Sequence, residues 1–245
     1  MTTKDVTAPK QSRPVRIVVE TVVLIAIAVI LAIIVKTFFV QAFYIPSGSM
    51  EPGLQVNDRI LVEKPSYWFG QPQRGDIIVF SDPGGWLDAE EDAGPTGGVP
   101  SVLEKIGLYP SGGHLVKRVI GTPGDTVSCC NKHGEIEVNG HPLDETSYIA
   151  PQSTCNGPMA GCTGWSVKVP PGDLFVMGDN RGESADSSYH LCRHGTSAAG
   201  TPCKPSDAFV PEKNVVGRVV AVIWPAGHMK WLHRPSDFKG IPNPS

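Results

Sequence analysis

The sequence is poor in aromatic residues and has no excess of positive charge. Aromatic residues make up 7% of its 245 residues, and the formal net charge is −3. A chain without a basic excess offers no electrostatic basis for binding nucleic acid. Turn-forming residues are abundant instead, with 27 glycines and 23 prolines in no repeating pattern. Such a composition favours a β-domain with many loops over a helical bundle.

Cysteine is absent from the start of the chain, since all six cysteines follow Ala42. An even number on one side of a membrane segment fits disulfides in an oxidising compartment, although buried free thiols are the alternative. Cys129 and Cys130 are adjacent, so on a strand they would point to opposite faces and should have different partners. The pairs Cys155–Cys162 and Cys192–Cys203 could each close a short loop, and the sequence does not select one set of pairings.

Long apolar runs are also scarce, with one exception near the N-terminus. Residues 1–16 are polar and carry four basic residues against one acid, whereas residues 17–40 are mostly apolar, with an uncharged stretch from Thr21 to Val35. As a helix, residues 17–40 would span about 36 Å, which is enough to cross a hydrocarbon core of about 30 Å. The basic flank predicts that residues 1–16 lie in the cytoplasm and that the chain after Val40 lies outside.

A cleaved secretory signal is the alternative to a retained membrane anchor. Val40-Gln41-Ala42 resembles a small-residue cleavage site. However, Lys36, Phe38 and Phe39 interrupt the approach to that site, and the apolar run is long for a signal peptide. We therefore expect a retained anchor, which a mature chain beginning at Phe43 would contradict.

Short apolar runs rich in β-branched residues follow the anchor. Most come after turn signals such as Gly-Asp or Asn-Gly, and all are too short for helices. The predicted strands are 59–62, 76–80, 115–120, 126–129, 135–138, 174–177 and 218–224. We therefore predict a mainly β fold, with a single N-terminal transmembrane helix and an extracytoplasmic all-β catalytic domain over residues 41–234.

Three stretches of this region are expected to lie outside the sheets. Residues 82–113 are rich in glycine, proline and acids and read as a loop insertion, with one short helix possible over residues 101–108. Residues 187–207 form a second loop insertion. The last residues, 235–245, contain three prolines and are expected to be irregular.

A candidate nucleophile lies just beyond the anchor, in the segment Ile45-Pro46-Ser47-Gly48-Ser49-Met50-Glu51-Pro52. Two prolines restrict its backbone, and one glycine allows a sharp turn. A serine held in a rigid turn at a membrane surface can act as a nucleophile only with a base nearby.

Histidine does not supply an obvious base, because none of the seven histidines lies in a comparably rigid motif. His190 and His194, together with Cys192 and Cys203, could be read as a zinc site. Their spacing lacks a paired Cys-x-x-Cys element, so a disulfide-closed loop with two exposed histidines fits better. We therefore expect no metal.

Lys117 is the alternative base. It lies in the apolar run His114–Ile120, where burial would lower the pKa of a lysine by disfavouring its charge. Lys117 and Arg118 alternate across a strand, so one can face inward while the other meets solvent or an acid. From the pattern alone, a solvated strand lysine remains the competing interpretation.

Four separated motifs, in the same order, resemble the type I signal peptidases, the membrane-bound Ser/Lys proteases of peptidase family S26. The resemblance covers residues 43–224. The motifs are the Ile45–Pro52 segment, Arg74-Gly75-Asp76-Ile77-Ile78-Val79-Phe80, Val116-Lys117-Arg118-Val119-Ile120-Gly121 with Pro123-Gly124-Asp125, and Met177-Gly178-Asp179-Asn180-Arg181 with Ser184-Ala185-Asp186-Ser187.

The resemblance implies a role for each residue of the catalytic machinery. Ser49 would be the nucleophile, and Lys117 would be the general base and later the acid for the leaving amine. The backbone N–H of Ser49 and the hydroxyl of Ser47 would form the oxyanion hole. Ser184 would hydrogen-bond to Lys117 and orient it.

Three further residues would support this site. The resemblance implies that Asp179 pairs with Arg118 and that Asp186 supports the same wall. The family often has arginine two residues after that second aspartate, where this chain has Ser188. The resemblance therefore leaves the partner of Asp186 open.

The resemblance also implies the substrate, which is a secretory preprotein with small residues at positions −3 and −1 of its signal peptide. The substrate backbone would add as an extended strand beside the one that carries Lys117. The other partner would be the lipid bilayer, and the enzyme would need no cofactor. The shallow pockets for the small residues would be lined by Phe43, Ile45, Met50, Leu54 and Val116.

Two other interpretations compete with this one. A self-cleaving repressor also uses a Ser/Lys pair on a similar core, but it usually carries a DNA-binding domain where this chain has an apolar segment. A non-enzymatic, membrane-anchored β-domain that binds a partner outside the cell would leave Ser49 and Lys117 idle. Cleavage of a preprotein separates these possibilities.

Overall fold

An apolar helix precedes a β-domain in the part of the chain that the computed structural model describes, residues 13–87, 113–150, 164–192 and 202–244. The helix α1 comprises Arg13–Phe38. Its segment Pro14–Lys36 is long and apolar enough to cross a membrane. Isoleucine, valine and leucine side chains are exposed all along it, as expected for a helix whose surroundings are lipid.

Twelve strands follow α1 within the described residues. In chain order they are β1 (Val40–Tyr44), β2 (Arg59–Glu63), β3 (Ile77–Ser81), β4 (His114–Gly121), β5 (Thr126–Cys129), β6 (Glu137–Val138), β7 (His141–Pro142), β8 (Trp165–Lys168), β9 (Asp173–Met177), β10 (Val210–Pro211), β11 (Val215–Trp224) and β12 (Lys230–Trp231). The mainly β fold behind one N-terminal apolar helix, as the sequence predicts, is confirmed.

The strands form two antiparallel sheets. The larger has the order β1-β2-β11-β3-β4-β9-β10, with β12 added to β11, and the smaller has the order β7-β6-β5-β8. Strand β4 lies inside the larger sheet, where His114–Arg118 pair with β3 and the ladder from Arg118 to Gly121 pairs with β9. This position holds the strand that carries Lys117 between two neighbours.

Five of these strands have no counterpart among the runs picked out from the sequence. Strands β7, β10 and β12 are two residues long, which is too short to show an alternating pattern. Strand β8 is exposed at two of its four positions. Strand β1 begins at Val40, inside the apolar segment predicted over residues 17–40, and pairs with β2 along its whole length.

The cysteine expectation is partly wrong. Cys129 and Cys130 form a disulfide with each other, whereas strand alternation predicted different partners. Strand β5 ends at Cys129, so the alternation of side chains across a strand does not extend to Cys130. Cys192 and Cys203 form a second disulfide, one of the pairings that the sequence allowed.

Several sequence predictions fall outside the described residues. These are the short helix over residues 101–108 and the pair Cys155–Cys162. Most of the 82–113 insertion and residues 193–201 of the 187–207 insertion lie there too.

Candidate active site

Ser49 lies in a short 3₁₀ turn, Gly48–Met50, that follows β1. Its side chain is buried, with 7% of its surface exposed. Asn180 holds this turn from the neighbouring segment. Its backbone N–H donates to the Ser49 carbonyl at 3.0 Å, and its side-chain amide donates to the Gly48 carbonyl at 3.1 Å. The backbone around Ser49 is therefore fixed by hydrogen bonds from a second part of the chain.

Lys117 approaches Ser49 from β4. The Lys117 side chain is 4% exposed, and its Nζ donates to the Ser49 Oγ at 2.8 Å. The two residues are 68 positions apart in the chain, and the sheet brings them together. A buried amine in hydrogen-bond contact with a serine hydroxyl is the geometry that a nucleophile and its base require.

Ser47 and Ser184 complete the polar lining. The Ser47 hydroxyl lies 3.4 Å from the Ser49 Oγ. Ser184 is buried and lies close to Ser49 across Gly178. A Cβ at Gly178 would stand 2.4 Å from both the Ser184 Oγ and the Ser49 carbonyl oxygen, so only glycine allows this approach.

Asp186 binds Ser184 from behind. The Ser184 Oγ donates to one carboxylate oxygen of Asp186 at 2.6 Å, which also accepts the Gly178 N–H at 2.9 Å. The other oxygen accepts the Ser188 N–H at 2.9 Å and the Ser188 hydroxyl at 2.6 Å. Ser188 therefore donates two hydrogen bonds to Asp186.

Arg118 points away from Lys117, as strand alternation requires. It donates to the two carboxylate oxygens of Asp179 at 2.7 and 2.6 Å and to the Gly75 carbonyl at 2.9 Å. Its guanidinium lies 4.4 Å from the centre of the Tyr148 ring. Burial alone would lower the pKa of Arg118, but the Asp179 carboxylate outweighs it and the pKa is raised.

A second buried ion pair was not found from the sequence. Arg181 donates to both carboxylate oxygens of Glu145 and to the Gly178 carbonyl. Arg181 is buried, yet its pKa is raised because the charge of Glu145 overcomes the cost of burial. Arg181 belongs to the Gly-Asp-Asn-Arg motif, but Glu145 lies 36 residues earlier in a turn and carries no local signal.

The five residues predicted to line the pockets gather in one hydrophobic cluster. Met50 and Leu54 lie in its interior, with 1% and 0% of their surfaces exposed. Val116 is partly exposed beside them on β4. The cluster includes Phe43, Ile45, Met50, Leu54, Ile60, Val62, Ile77, Val79, Val219 and Val222, with Val116 packed against it.

The zinc alternative finds no support in the described part of the chain. Cys192 and Cys203 are joined in a disulfide, so their sulfurs are not thiolate ligands. The His190 ring stacks on Trp86, with ring centres 4.6 Å apart. His194 lies outside the described residues.

Comparison with known proteins places the chain in a family. The family model for signal peptidase, peptidase S26, matches residues 18–224. A probable signal peptidase I of Mycobacterium leprae is 40% identical over 223 residues, which cover 84% of this chain and 76% of that protein. The signal peptidase I of Leptolyngbya laminosa is 35% identical over 230 residues, covering 94% and 90%.

Two further matches are to a sequence relative and to a solved structure. The signal peptidase I of Mycobacterium tuberculosis is 40% identical over 223 residues, covering 84% of this chain and 72% of that protein. A crystal structure of a signal peptidase I from Enterococcus faecalis matches this chain with a TM-score of 0.34 and 23% identity. The match covers 60% of this chain and 96% of that one. From the family model and the sequence relatives, the chain belongs to the signal peptidase family, peptidase S26, and is a hydrolase that processes signal peptides.

Proposed function

We propose that this protein is a membrane-bound serine endopeptidase that removes signal peptides after small residues, with Ser49 as nucleophile and Lys117 as base. The observation that carries the proposal is the 2.8 Å hydrogen bond between the Lys117 Nζ and the Ser49 Oγ. Both side chains are more than nine-tenths buried. Burial disfavours the charged form of an amine, and only the neutral form can accept a proton.

The proposed reaction has two halves. The Ser49 oxygen attacks the scissile carbonyl carbon while its proton passes to the Lys117 Nζ, and the resulting ammonium then gives that proton to the leaving amine. An acyl-enzyme on Ser49 remains. Water, deprotonated by the same amine, attacks the ester carbonyl. As the bond to Ser49 breaks, the ammonium returns that proton to the Ser49 oxygen, and the signal peptide leaves with a new carboxyl terminus.

Ser184 is proposed to orient the amine. Its single hydroxyl proton is donated to Asp186, so its oxygen has only lone pairs to offer towards Lys117. A lysine N–H donated to that oxygen would direct the nitrogen lone pair towards Ser49.

Ser47 is proposed to stabilise the oxyanion together with the Ser49 N–H. Its hydroxyl lies within 3.4 Å of the Ser49 Oγ, so it is close to the place where the tetrahedral oxygen would form. Donors already in position at that point lower the barrier because they need no reorganisation during the reaction.

The proposed substrate path runs along β4 beside Lys117. His114–Arg118 of β4 pair with β3, and the ladder with β9 begins at Arg118. Phe43 of β1 contacts His114, with ring centres 5.3 Å apart, so the edge strand β1 lies near the same part of β4. An extended signal peptide could add as a strand there, with its small residues over the Phe43–Val116 cluster.

The bilayer is the second proposed partner. We place residues 1–16 in the cytoplasm, the span within 17–40, and the catalytic domain (41–234) and tail (235–245) outside, because the basic flank precedes the span. Phe39, one residue past α1, contacts the Trp68 ring at 5.3 Å between centres. Trp68 is 47% exposed and its neighbour Phe69 is 98% exposed, and tryptophan is enriched at membrane interfaces.

The test is cleavage of a preprotein by the full-length protein in detergent micelles. We expect one cut after an Ala-x-Ala sequence, located by sequencing the new N-terminus. Replacing the alanine at −1 by leucine should block the cut, because a shallow pocket excludes the larger side chain. Ser49→Ala, prepared in the same way, is the matched control. Cleavage that survives Ser49→Ala, or that ignores leucine at −1, would contradict the proposal.

A further inference from the structure

Asp186 is a buried carboxylate whose hydrogen bonds come from four donors. Its surface is 1% exposed. One oxygen accepts from the Gly178 N–H and the Ser184 hydroxyl, and the other accepts from the N–H and the hydroxyl of Ser188. Among the described residues, no ion pair within 4.0 Å includes Asp186. Because a buried charge without a counter-charge is costly, these four donors keep it in place.

Ser188 has a distinct part in this arrangement. Its backbone N–H and its hydroxyl both donate to the Asp186 carboxylate oxygen that does not contact Ser184. Its hydroxyl bond, at 2.6 Å, is as short as the one from Ser184, and short bonds to an ionised acceptor are the strong ones. Without that hydroxyl, this oxygen would keep the Ser188 backbone N–H.

The direction of the hydrogen bonds matters for the chemistry at Lys117. The Asp186 carboxylate accepts the proton of Ser184, so in the proposed mechanism the Ser184 oxygen is an acceptor for a lysine N–H. If the Asp186 carboxylate turned away, the Ser184 proton could turn towards Lys117. It would then compete for the nitrogen lone pair that must take the proton of Ser49.

Other charges act on Asp186 from the neighbouring segments. Arg181 is close enough for its pKa to be affected by Asp186, but its own hydrogen bonds go to Glu145 and Gly178. The Asp186 charge also acts on His190 and would raise its pKa, but burial outweighs this effect and the pKa of His190 is lowered. The donors that contact the carboxylate are therefore hydroxyls and backbone N–H groups.

We propose that Ser188 is a positioning residue for catalysis. Its hydroxyl holds the Asp186 carboxylate correctly turned, which keeps Ser184 an acceptor towards Lys117 and leaves the amine lone pair for Ser49. This inference rests on the proposed Ser49/Lys117 mechanism.

The test compares two isosteric variants in the full-length protein, Ser188→Thr and Ser188→Val. Threonine keeps the hydroxyl, and valine replaces it with a methyl group of similar size, so packing changes equally in both. We expect Ser188→Val to lower kcat about tenfold, with KM within about twofold of wild type. Ser188→Thr should recover most of the loss. Preprotein cleavage gives both constants, and thermal unfolding confirms that each variant is folded.

Ser187→Ala is the matched control, because Ser187 is equally buried but its hydroxyl accepts the Val176 N–H rather than serving Asp186. It should lower the melting temperature and leave kcat unchanged. Equal kcat values for Ser188→Thr and Ser188→Val, or an equal loss in Ser187→Ala, would overturn the inference while cleavage still depended on Ser49. Cleavage that is independent of Ser49 would overturn the proposed function and this inference together.

Discussion

Lys117 and Arg118 are neighbours on β4 and are each 4% exposed, yet they meet different partners. Arg118 donates to both oxygens of the Asp179 carboxylate, whereas Lys117 donates to the hydroxyl of Ser49. The strand turns one side chain to each face of the sheet. One position therefore holds a permanent cation against a counter-charge, and the other holds an amine against a group that can lose a proton.

The difference shows how one strand can serve stability and chemistry with adjacent residues. A guanidinium stays charged, so its burial requires a carboxylate. A lysine amine can be neutral when it is buried, so it can serve as a base. Exchange of the two residue types would remove the base from one face and leave the carboxylate poorly matched on the other.

The largest effect is expected from Lys117→Met, which removes the amine and keeps an unbranched side chain. Turnover of a preprotein should fall by roughly 10⁴- to 10⁶-fold, as when one member of a catalytic unit is lost. The melting temperature should stay the same or rise, because an apolar side chain avoids the cost of burying an amine. Turnover within about tenfold of wild type would contradict the role of Lys117.

Arg118→Met, in contrast, should lower stability more than it lowers turnover. It leaves the Asp179 carboxylate buried without its counter-charge, which typically costs about 3–5 kcal/mol of unfolding free energy. Thermal or denaturant unfolding in detergent measures this loss. The double variant Arg118→Met/Asp179→Leu removes both charges and should recover most of it. If the double variant were no more stable than the single one, burial of the lone carboxylate would not be the cause.

Ser47→Ala tests the proposed oxyanion hole and leaves Ser49 and Lys117 in place. Loss of one oxyanion donor typically lowers kcat by about 100- to 1,000-fold. KM and the melting temperature should change little, because the Ser47 contact with the Ser49 Oγ is long, at 3.4 Å. Ser147→Ala removes an exposed hydroxyl that donates to Asp237 and serves as control. Unchanged turnover in Ser47→Ala would exclude Ser47 from the oxyanion hole.

The proximity of Ser49 and Lys117 was predictable because each lies in a short contiguous motif. Pro46 and Pro52 restrict the turn that carries Ser49, and the apolar run around Lys117 predicts a buried strand. The resemblance of four motifs to the type I signal peptidases then assigns both residues to one site. Local patterns of this kind determine the identity of the residues, and the sheet determines the distance.

Other parts of the site depend on contacts between distant segments and could not be predicted. Glu145 pairs with Arg181 across 36 residues, and nothing near Glu145 marks it as buried. Asn180 belongs to a recognised motif, but its hydrogen bonds to the Ser49 turn follow from the packing of two loops. The partner of Asp186 was left open because a serine at position 188 has no fixed preference for a carboxylate.

His190 is a half-buried histidine outside the Lys117/Arg118 pair, and its replacement should have the smallest effect of those considered. Its ring stacks on Trp86, and its Nε2 is buried without a hydrogen-bond partner among the described residues. Burial lowers the pKa of His190 despite the nearby carboxylates of Asp186, Asp82 and Asp207. Between this lowered pKa and the unfolded value of about 6.5, the unfolded chain binds more protons, so stability falls as the pH falls below that value.

His190→Phe removes this titration and keeps an aromatic ring for Trp86 to stack on. Between about pH 7 and pH 5, the melting temperature of the wild type should fall more than that of the variant. His133→Phe, at an exposed position, controls for the loss of one histidine and should behave like the wild type. If all three proteins lost the same number of degrees on acidification, His190 would be protonated as readily in the folded chain as in the unfolded one. Its position against Trp86 would then carry no cost for the charge, in contrast to the burial that is proposed to keep Lys117 neutral.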